Sequence, residues 1–330
     1  MMKPPLNFAT IATRGSALAL WQANYVAGLL KTHQIDSEKL IIKTTADRIQ
    51  DRFLHEIGGK GLFVKELEQA LEKGEADLAV HSLKDMTATL QPPFILAAVL
   101  PRHEVADAMI FRDDVASRCK PKSMLGPEDL RSFGALTVGT GSLRRQALLA
   151  GAAPALTCVG VRGNVDTRLR KLNEGAWDAL ILAEASLDRL GLKPGLKVSR
   201  LDPSWFVPCA SQGALALETT AQHGLASWLA ILGSQETMAA VTIERGLLAH
   251  LGGDCNMPFG CLVAKIGDEF VGRAVILAKD GREARCEHRI PSTHGLDVPR
   301  FVDSLTAKLK AAGAAGILRA LGLDVPRAFQ

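Results

Sequence analysis

No run in the 330 residues reaches the roughly 18 uninterrupted apolar positions that a membrane-spanning helix needs. The opening stretch MMKPPLNFATIATRGS carries no apolar segment of secretory length. A cytosolic setting with no membrane partner is therefore expected. The sequence also lacks any CxxC, and the spacing His250, Cys255, Cys261 matches no common zinc pattern, so no metal is expected. In the cytosol the six cysteines, at 119, 158, 209, 255, 261 and 286, are expected as thiols, because the reductants there keep them so. There is no lysine-rich tail or basic repeat, and a net charge of +4 gives little support to nucleic-acid binding. What is present is the composition of a folded protein, 47% hydrophobic and 22% charged, in a chain long enough for two or three cores.

Arginines gather in one region, SLRR at 142–145 and VRGNVDTRLRK at 161–171, which points to an anionic small molecule. Periodicity predicts a strand over 8–13 and a helix over 17–30 with Leu18, Trp21, Tyr25 and Leu29 on one face, joined through Arg14-Gly15-Ser16. A strand over 135–139 and a helix over 143–150 repeat the device through Thr140-Gly141-Ser142. GEADLAVHSLKD from Gly74 and GAWDALILAEASLD from Gly175 echo one another, with a glycine three residues before an aspartate, an apolar strand and a helix start. Two α/β domains of similar design are predicted. Residues 112–134 read as a polar connector with one short helix beginning near Pro127, and 192–208 as another break. The last hundred residues predict a smaller α+β unit. It has a helix ending at Gly252, strands near 260–265 and 269–278, and a helix from about Pro299 with Phe301, Leu305 and Leu309 inward.

Helix N-termini leave backbone N–H groups unpaired, so the two small-residue turns can receive an anion, with Arg14, Arg144 and Arg145 adding forked donors suited to carboxylates. The plainer reading makes Ser16 and Ser142 ordinary N-caps and leaves the arginines in solvent. GTGSLR falls short of a dinucleotide fingerprint, since Arg144 stands where the third glycine belongs. HSLKDM follows an apolar strand, which places Lys84 and Asp85 at the end of a strand where ligands bind. An ionised Asp85 there can steady a developing cation or move a proton, or it simply caps a turn. Cys255 follows Gly252-Gly253 in a turn continued by Asn256 and Pro258, where a thiol is presented as nucleophile or tether. Cys158 and Cys209, inside apolar runs, read as filler.

IATRGSALALWQA, GGKGLFVKELEQAL, DLAVHSLKDM, VGTGSLRRQ, RGNVDTRL and SQGALALE resemble, in order, the sequence blocks of the porphobilinogen deaminase (hydroxymethylbilane synthase) family, over residues 9–265. The resemblance implies an α/β fold with two lobes like type II solute-binding proteins, joined by a hinge, and a small C-terminal α+β domain. The division is residues 1–105 with 213–232, then 106–212, then 233–330. It implies a monomeric cytoplasmic transferase that joins four porphobilinogen molecules head to tail with loss of ammonia and releases hydroxymethylbilane by hydrolysis. The growing chain sits on a covalent dipyrromethane cofactor, here by a thioether to Cys255. Asp85 becomes the catalytic carboxylate, hydrogen-bonding the pyrrole N–H of a cationic azafulvene. Arg14, Arg144, Arg145, Arg162, Arg168 and Arg189, with Lys60 and Lys84, become partners for substrate and cofactor carboxylates. Ser16, Ser82, Thr140, Ser142 and Gln212 supply neutral contacts, and Phe63 an aromatic near a pyrrole.

Thr45-Ala46-Asp47 stands where the family often has Arg-Gly-Asp, which removes one expected substrate contact in a lid segment. Asp254 and Asn256-Met257 also depart from the usual neighbours of the cofactor cysteine, and the connector 112–134 is longer than usual. Two rival readings are a non-catalytic two-lobed binder or sensor of a polycarboxylate and a thiol-dependent transferase with another carboxylated substrate. Both predict no preloaded adduct on Cys255.

Overall fold

The computed structural model describes residues 4–44, 64–193, 195–252, 257–292 and 296–330. Contacts divide the chain into two compact units, residues 1–103 with 213–241 and residues 104–212 with 242–330.

The first unit is built on a sheet of β1 (Phe8–Arg14), β2 (Asp36–Ile42), β3 (Leu78–Ser82), β4 (Phe94–Val99) and β11 (Leu215–Thr220), in the order β2-β1-β3-β11-β4. β1 pairs parallel with β2 and β3, while β11 runs antiparallel between β3 and β4. The second unit holds β5 (Asp107–Phe111), β6 (Met124–Leu125), β7 (Thr137–Gly139), β8 (Thr157–Val159), β9 (Ala179–Ala183) and β10 (Lys197–Leu201). Its order is β6-β10-β5-β9-β7-β8, with β5 antiparallel to β9 and β10. Read from β8, this is the same plan: second strand, first, third, one antiparallel strand from a remote segment, then fourth. The two lobes implied by the sequence blocks are thus each built as an α/β sheet with one inserted strand.

The duplication reaches individual bonds. Asp77, just before β3, accepts from Thr10 N at 2.6 Å through Oδ2, and Asp178, just before β9, accepts from Thr137 N at 2.8 Å through the same oxygen. Each aspartate is reached through a glycine of positive φ, Gly74 at 70° and Gly175 at 84°, which ends the preceding helix. Each also meets a nitrogen-bearing side chain beyond the inserted strand: His223 Nε2 at 2.9 Å from Asp77, and Arg112 Nη2 at 3.3 Å from Asp178.

The C-terminal sheet is an antiparallel meander of β12 (Phe259–Ile266), β13 (Glu269–Leu277) and β14 (Glu283–Pro291). The helix Val298–Ala311 buries Phe301, Leu305 and Leu309, as its 3.6-residue spacing predicts. Leu262, Val275 and Leu277 join Met109, Leu149 and Phe206 in one core. A close approach fixes the β13–β14 turn: a Cβ on Gly281 would lie 2.4 Å from Gly151 N, and its φ of 87° independently favours glycine.

Three local expectations change, and one strand was not foreseen. Helix Ala17–Thr32 buries Gln22, Ala23, Val26 and Leu30, whereas Tyr25 is exposed and Trp21 only half-buried. The aromatic side chains instead stack on each other, with centroids 5.4 Å apart. The connector is not irregular: it contains the helix Asp113–Cys119, β6 and the helix Pro127–Ser132. Asp113 and Asp114 favour the first helix at its N-terminus, and Lys120 in the left-handed region stops it. The break at 192–208 contains β10, paired along its length with β5. β14 carried no expectation, since its outward positions Glu283, Arg285, Glu287 and Arg289 leave little apolar signal. Among the described residues no helix is long and apolar enough to cross a membrane.

Candidate functional site

In the first unit, β1 ends at Arg14 and the chain turns through Gly15 into a helix whose N-cap is Ser16, its Oγ accepting from Ala19 N at 3.3 Å. β3 ends at Ser82 and passes into a single 3-10 turn, Leu83–Asp85. Leu83 N donates to Ala214 O at 3.0 Å, which fixes the turn against the sheet. Arg14, Ser16, Ser82 and Asp85 line one cavity of about 60 Å³, together with Gln22 and His81. Gln22 Nε2 donates to Ser82 Oγ at 2.7 Å, and Asp85 is exposed at the rim. A carboxylate, two hydroxyls, an amide and a guanidinium converge there, a set able to hold a polar, partly charged ring.

The second unit repeats the turn with a different charge arrangement. Thr140 is buried and its N–H donates to Val159 O at 2.9 Å. Ser142 caps the helix Leu143–Ala152. The first turn of that helix points Arg144 and Arg145 inward, onto Asp107 at the start of β5. Arg144 Nη2 donates to Asp107 Oδ2 at 2.6 Å and Nη1 to Val207 O at 2.8 Å. Arg145 gives Nε and Nη2 to Asp107 Oδ1 at 3.1 and 2.6 Å, and Nη1 to Ile181 O at 3.0 Å. Gln212 Nε2 also donates to Asp107 Oδ1, at 3.0 Å. Burial would push the Asp107 carboxyl up, but the two guanidiniums override it and hold it far below the usual carboxylate range. Among the described residues of the cluster two positive charges face one negative, a surplus of one, and Arg144 Nε is buried with no hydrogen-bond partner among them.

The structure therefore brings Arg14, Ser16, Ser82 and Asp85 together, and separately Arg144, Arg145 and Gln212, with Thr140 and Ser142 at the head of the same helix. Lys84 is half-buried beside Asp85. Arg162 and Arg168 are half-buried at the approach to the helix Val165–Asn173 and on it, and Arg168 Nε donates to Gly163 O at 2.8 Å. Arg189 is buried on the helix Glu184–Arg189. Lys60, Phe63 and Cys255 lie outside the described residues, as do Thr45-Ala46-Asp47, Asp254 and Asn256. Cys261 is buried, and burial pushes the thiols of Cys158 and Cys286 up to about 11, which suits packing better than nucleophilic chemistry.

Sequence reasoning missed Gln22, His81, Asp107 and Glu218. A signal existed for two of them: Asp107 and Glu218 are carboxylates inside otherwise apolar strands, ADAMIF and LALET, and buried carboxylates call for partners.

A family model described as porphobilinogen deaminase, dipyromethane cofactor binding domain, matches residues 9–226. The porphobilinogen deaminase of Methylobacillus flagellatus is 43% identical over 316 residues, covering 94% of this chain and 96% of the relative. That of Bordetella parapertussis is 42% identical with the same coverage. That of Ralstonia nicotianae is 40% identical over 328 residues, covering 96% and 93%. Among solved structures, an ancestral cationic amino-acid solute-binding protein aligns with a TM-score of 0.41 at 12% identity, covering 74% of this chain and 91% of that one. A 43% identity along nearly the whole length, with the sequence blocks in order, leaves one assignment: the chain belongs to the porphobilinogen deaminase family.

Proposed function

We propose that this protein is a porphobilinogen deaminase (hydroxymethylbilane synthase), a transferase of porphyrin biosynthesis that condenses four porphobilinogen molecules with loss of ammonia and releases hydroxymethylbilane. The observation that carries the reading is the cavity that gathers Asp85 with Ser16, Ser82 and Arg14 in a chain of this family. Porphobilinogen presents a pyrrole N–H, two carboxylates and an aminomethyl group. Asp85 accepts from the N–H and steadies the positive charge left on the ring when ammonia departs. Arg14 and Lys84 supply donors for the carboxylates. A two-lobed sensor would need no cofactor domain, and the family match favours the enzyme over it.

The residues present fit a dipyrromethane cofactor. A surplus positive charge and an orphaned Arg144 Nε suit a group bearing carboxylates, and Cys255 is the thiol for its thioether. Arg144, Arg145, Arg162, Arg168 and Arg189, with Lys60, would hold it and the chain built upon it. Thr140, Ser142 and Gln212 would add neutral contacts, and Phe63 an aromatic one. When bound, the cofactor supplies the free pyrrole α-carbon to which substrate units are added. The division into residues 1–105 with 213–232, 106–212 and 233–330 as three domains belongs to the same proposal, each having a sheet of its own. So do a monomeric state, a cytoplasmic location, and the absence of nucleic-acid or membrane partners.

Intact-protein mass spectrometry of the purified chain tests the reading. The expected mass exceeds that of the polypeptide by two joined pyrroles, Cys255→Ser lacks the increment, and porphobilinogen adds discrete further increments. An unmodified mass in protein that leaves porphobilinogen unconsumed would overturn it.

A further inference from the structure

Behind Ser82 and Asp85 lies a buried pair that the chemistry above leaves unused. His81 stands on β3 opposite Ala216 of β11, and Glu218 is two residues along β11 on the same face. His81 Nε2 lies 2.8 Å from Glu218 Oε2, with the two side chains 5% and 0% exposed. Glu218 Oε1 is buried with no hydrogen-bond partner among the described residues. Apolar side chains of similar volume would fill this place without desolvating a carboxylate, and a buried pair often gains nothing over them. The geometry supplies another use for it. His81 lines the same cavity as Asp85, and with Nε2 taken by Glu218, Nδ1 is the ring nitrogen left for that cavity.

We propose that His81, held by Glu218, is a second catalytic group of this cavity, whose Nδ1 takes up the proton released as each ring is added. This rests on the deaminase reading above. The aminomethyl group enters as its ammonium. Its C–N bond breaks with the electron pair leaving on ammonia, a C–C bond forms, and one pyrrole C–H bond breaks, returning its electron pair to the ring. The proton from that carbon passes to Nδ1. Nε2–H remains donated to Glu218, whose carboxylate balances the imidazolium, a base fixed in tautomer and orientation by a buried acid. The proton then moves to the departing ammonia, which leaves as ammonium and restores the neutral imidazole. Asp85, at the rim, keeps the separate task of holding the pyrrole N–H.

Charged groups surround the pair: Arg14 of β1 and Asp85 of the turn after β3 line the same cavity as His81, and Glu68 of the helix Lys65–Glu72 interacts with both members of the pair. Burial and then the charge of Glu218 push the Glu68 carboxyl up, while His81 draws it down, so the three share one electrostatic neighbourhood.

The test uses the full chain carrying its cofactor, with loading checked by intact mass. His81→Gln is expected to lose about a hundredfold in kcat for porphobilinogen, the lower end of what a positioned base contributes, with KM changed less than about twofold. Glu218→Gln keeps an acceptor for Nε2–H and removes the balancing charge. The imidazolium is then less favoured, so the acid limb of the kcat–pH profile moves about one unit to lower pH. The His81 resonance, followed by NMR of histidine-labelled protein and assigned by its absence from His81→Gln, moves with it. In a merely structural pair the resonance would move and the limb would stay. His81→Gln within about threefold of the parent kcat, or a Glu218→Gln resonance that moves while the limb stays, overturns the proposal. If His81→Gln fails to load cofactor, the Glu218→Gln limb decides alone. Failure of the parent protein to consume porphobilinogen would instead remove the deaminase reading.

Discussion

Without the carboxylate of Asp107, two guanidiniums would face each other where water cannot separate them. Asp107 is wholly buried, Arg144 is 3% and Arg145 7% exposed, and the three are joined by contacts as short as 2.6 Å. Breaking a buried pair from one side costs about 3–5 kcal/mol, because the charge left behind is uncompensated. Asp107→Asn is therefore expected to lose that much in urea unfolding of the full chain, although the new side chain has the same shape. A loss under about 1 kcal/mol would mean that water or the backbone already screens the arginines. The caps at this scale were legible: Ser16 and Ser142 are the N-caps that their place before apolar periodicity predicts. The direction of the arginines was not. Arg144 and Arg145 are 37 and 38 residues from Asp107, and nothing local in SLRR says that the fork meets an internal carboxylate.

Asp77 and Asp178 do one job in two places, each tying the strand that follows it to its parallel neighbour, β1 for Asp77 and β7 for Asp178. Their partners do not overlap: Thr10 and His223 for one, Thr137 and Arg112 for the other. Replacing either by alanine strands a backbone N–H and removes a side-chain partner, for a cost of about 1–3 kcal/mol. Sites without shared partners add, so the double variant is expected to lose the sum of the two within about 0.5 kcal/mol. Calorimetry of the four proteins measures this, and a marked shortfall would show that the two units unfold independently. This duplication could be read from the sequence, because Gly74 to Asp77 and Gly175 to Asp178 keep the same spacing ahead of an apolar strand. β14 and the helix Asp113–Cys119 escaped, since charged residues dominate their exposed sides and what they bury is short. On the first helix the expected face was misplaced because Gln22 is inward for a polar reason, its bond to Ser82, which apolar periodicity does not register.

Acid stability belongs to the whole molecule, and three buried or half-buried carboxylates give it opposite slopes. Asp107 is held far below its ordinary value by Arg144 and Arg145 against the pull of burial. Burial also pushes Glu184 up, but Arg200 and Lys193, at 2.7 and 2.6 Å, more than reverse it. A carboxyl that is more acidic in the fold than in the unfolded chain stabilises the fold above its unfolded pKa of about 4. That contribution drains away as pH falls through the folded value. Glu68 runs the other way: burial and Glu218 raise its carboxyl, so the fold binds its proton more tightly than the unfolded chain does. Stability then rises slightly as pH falls through that raised value, the gain being small because Glu68 is half-exposed. The expected profile of unfolding free energy is thus flat or gently rising from neutral pH into the mildly acidic range, and falls steeply below about pH 4. Asp107→Asn should flatten the steep part, because the carboxyl that must be protonated there is gone. Raising the salt should leave that limb in place while weakening exposed pairs such as Arg289 with Glu269. Urea unfolding at half-unit steps of pH measures both effects, and an acid limb unchanged by Asp107→Asn would show that other carboxylates govern it.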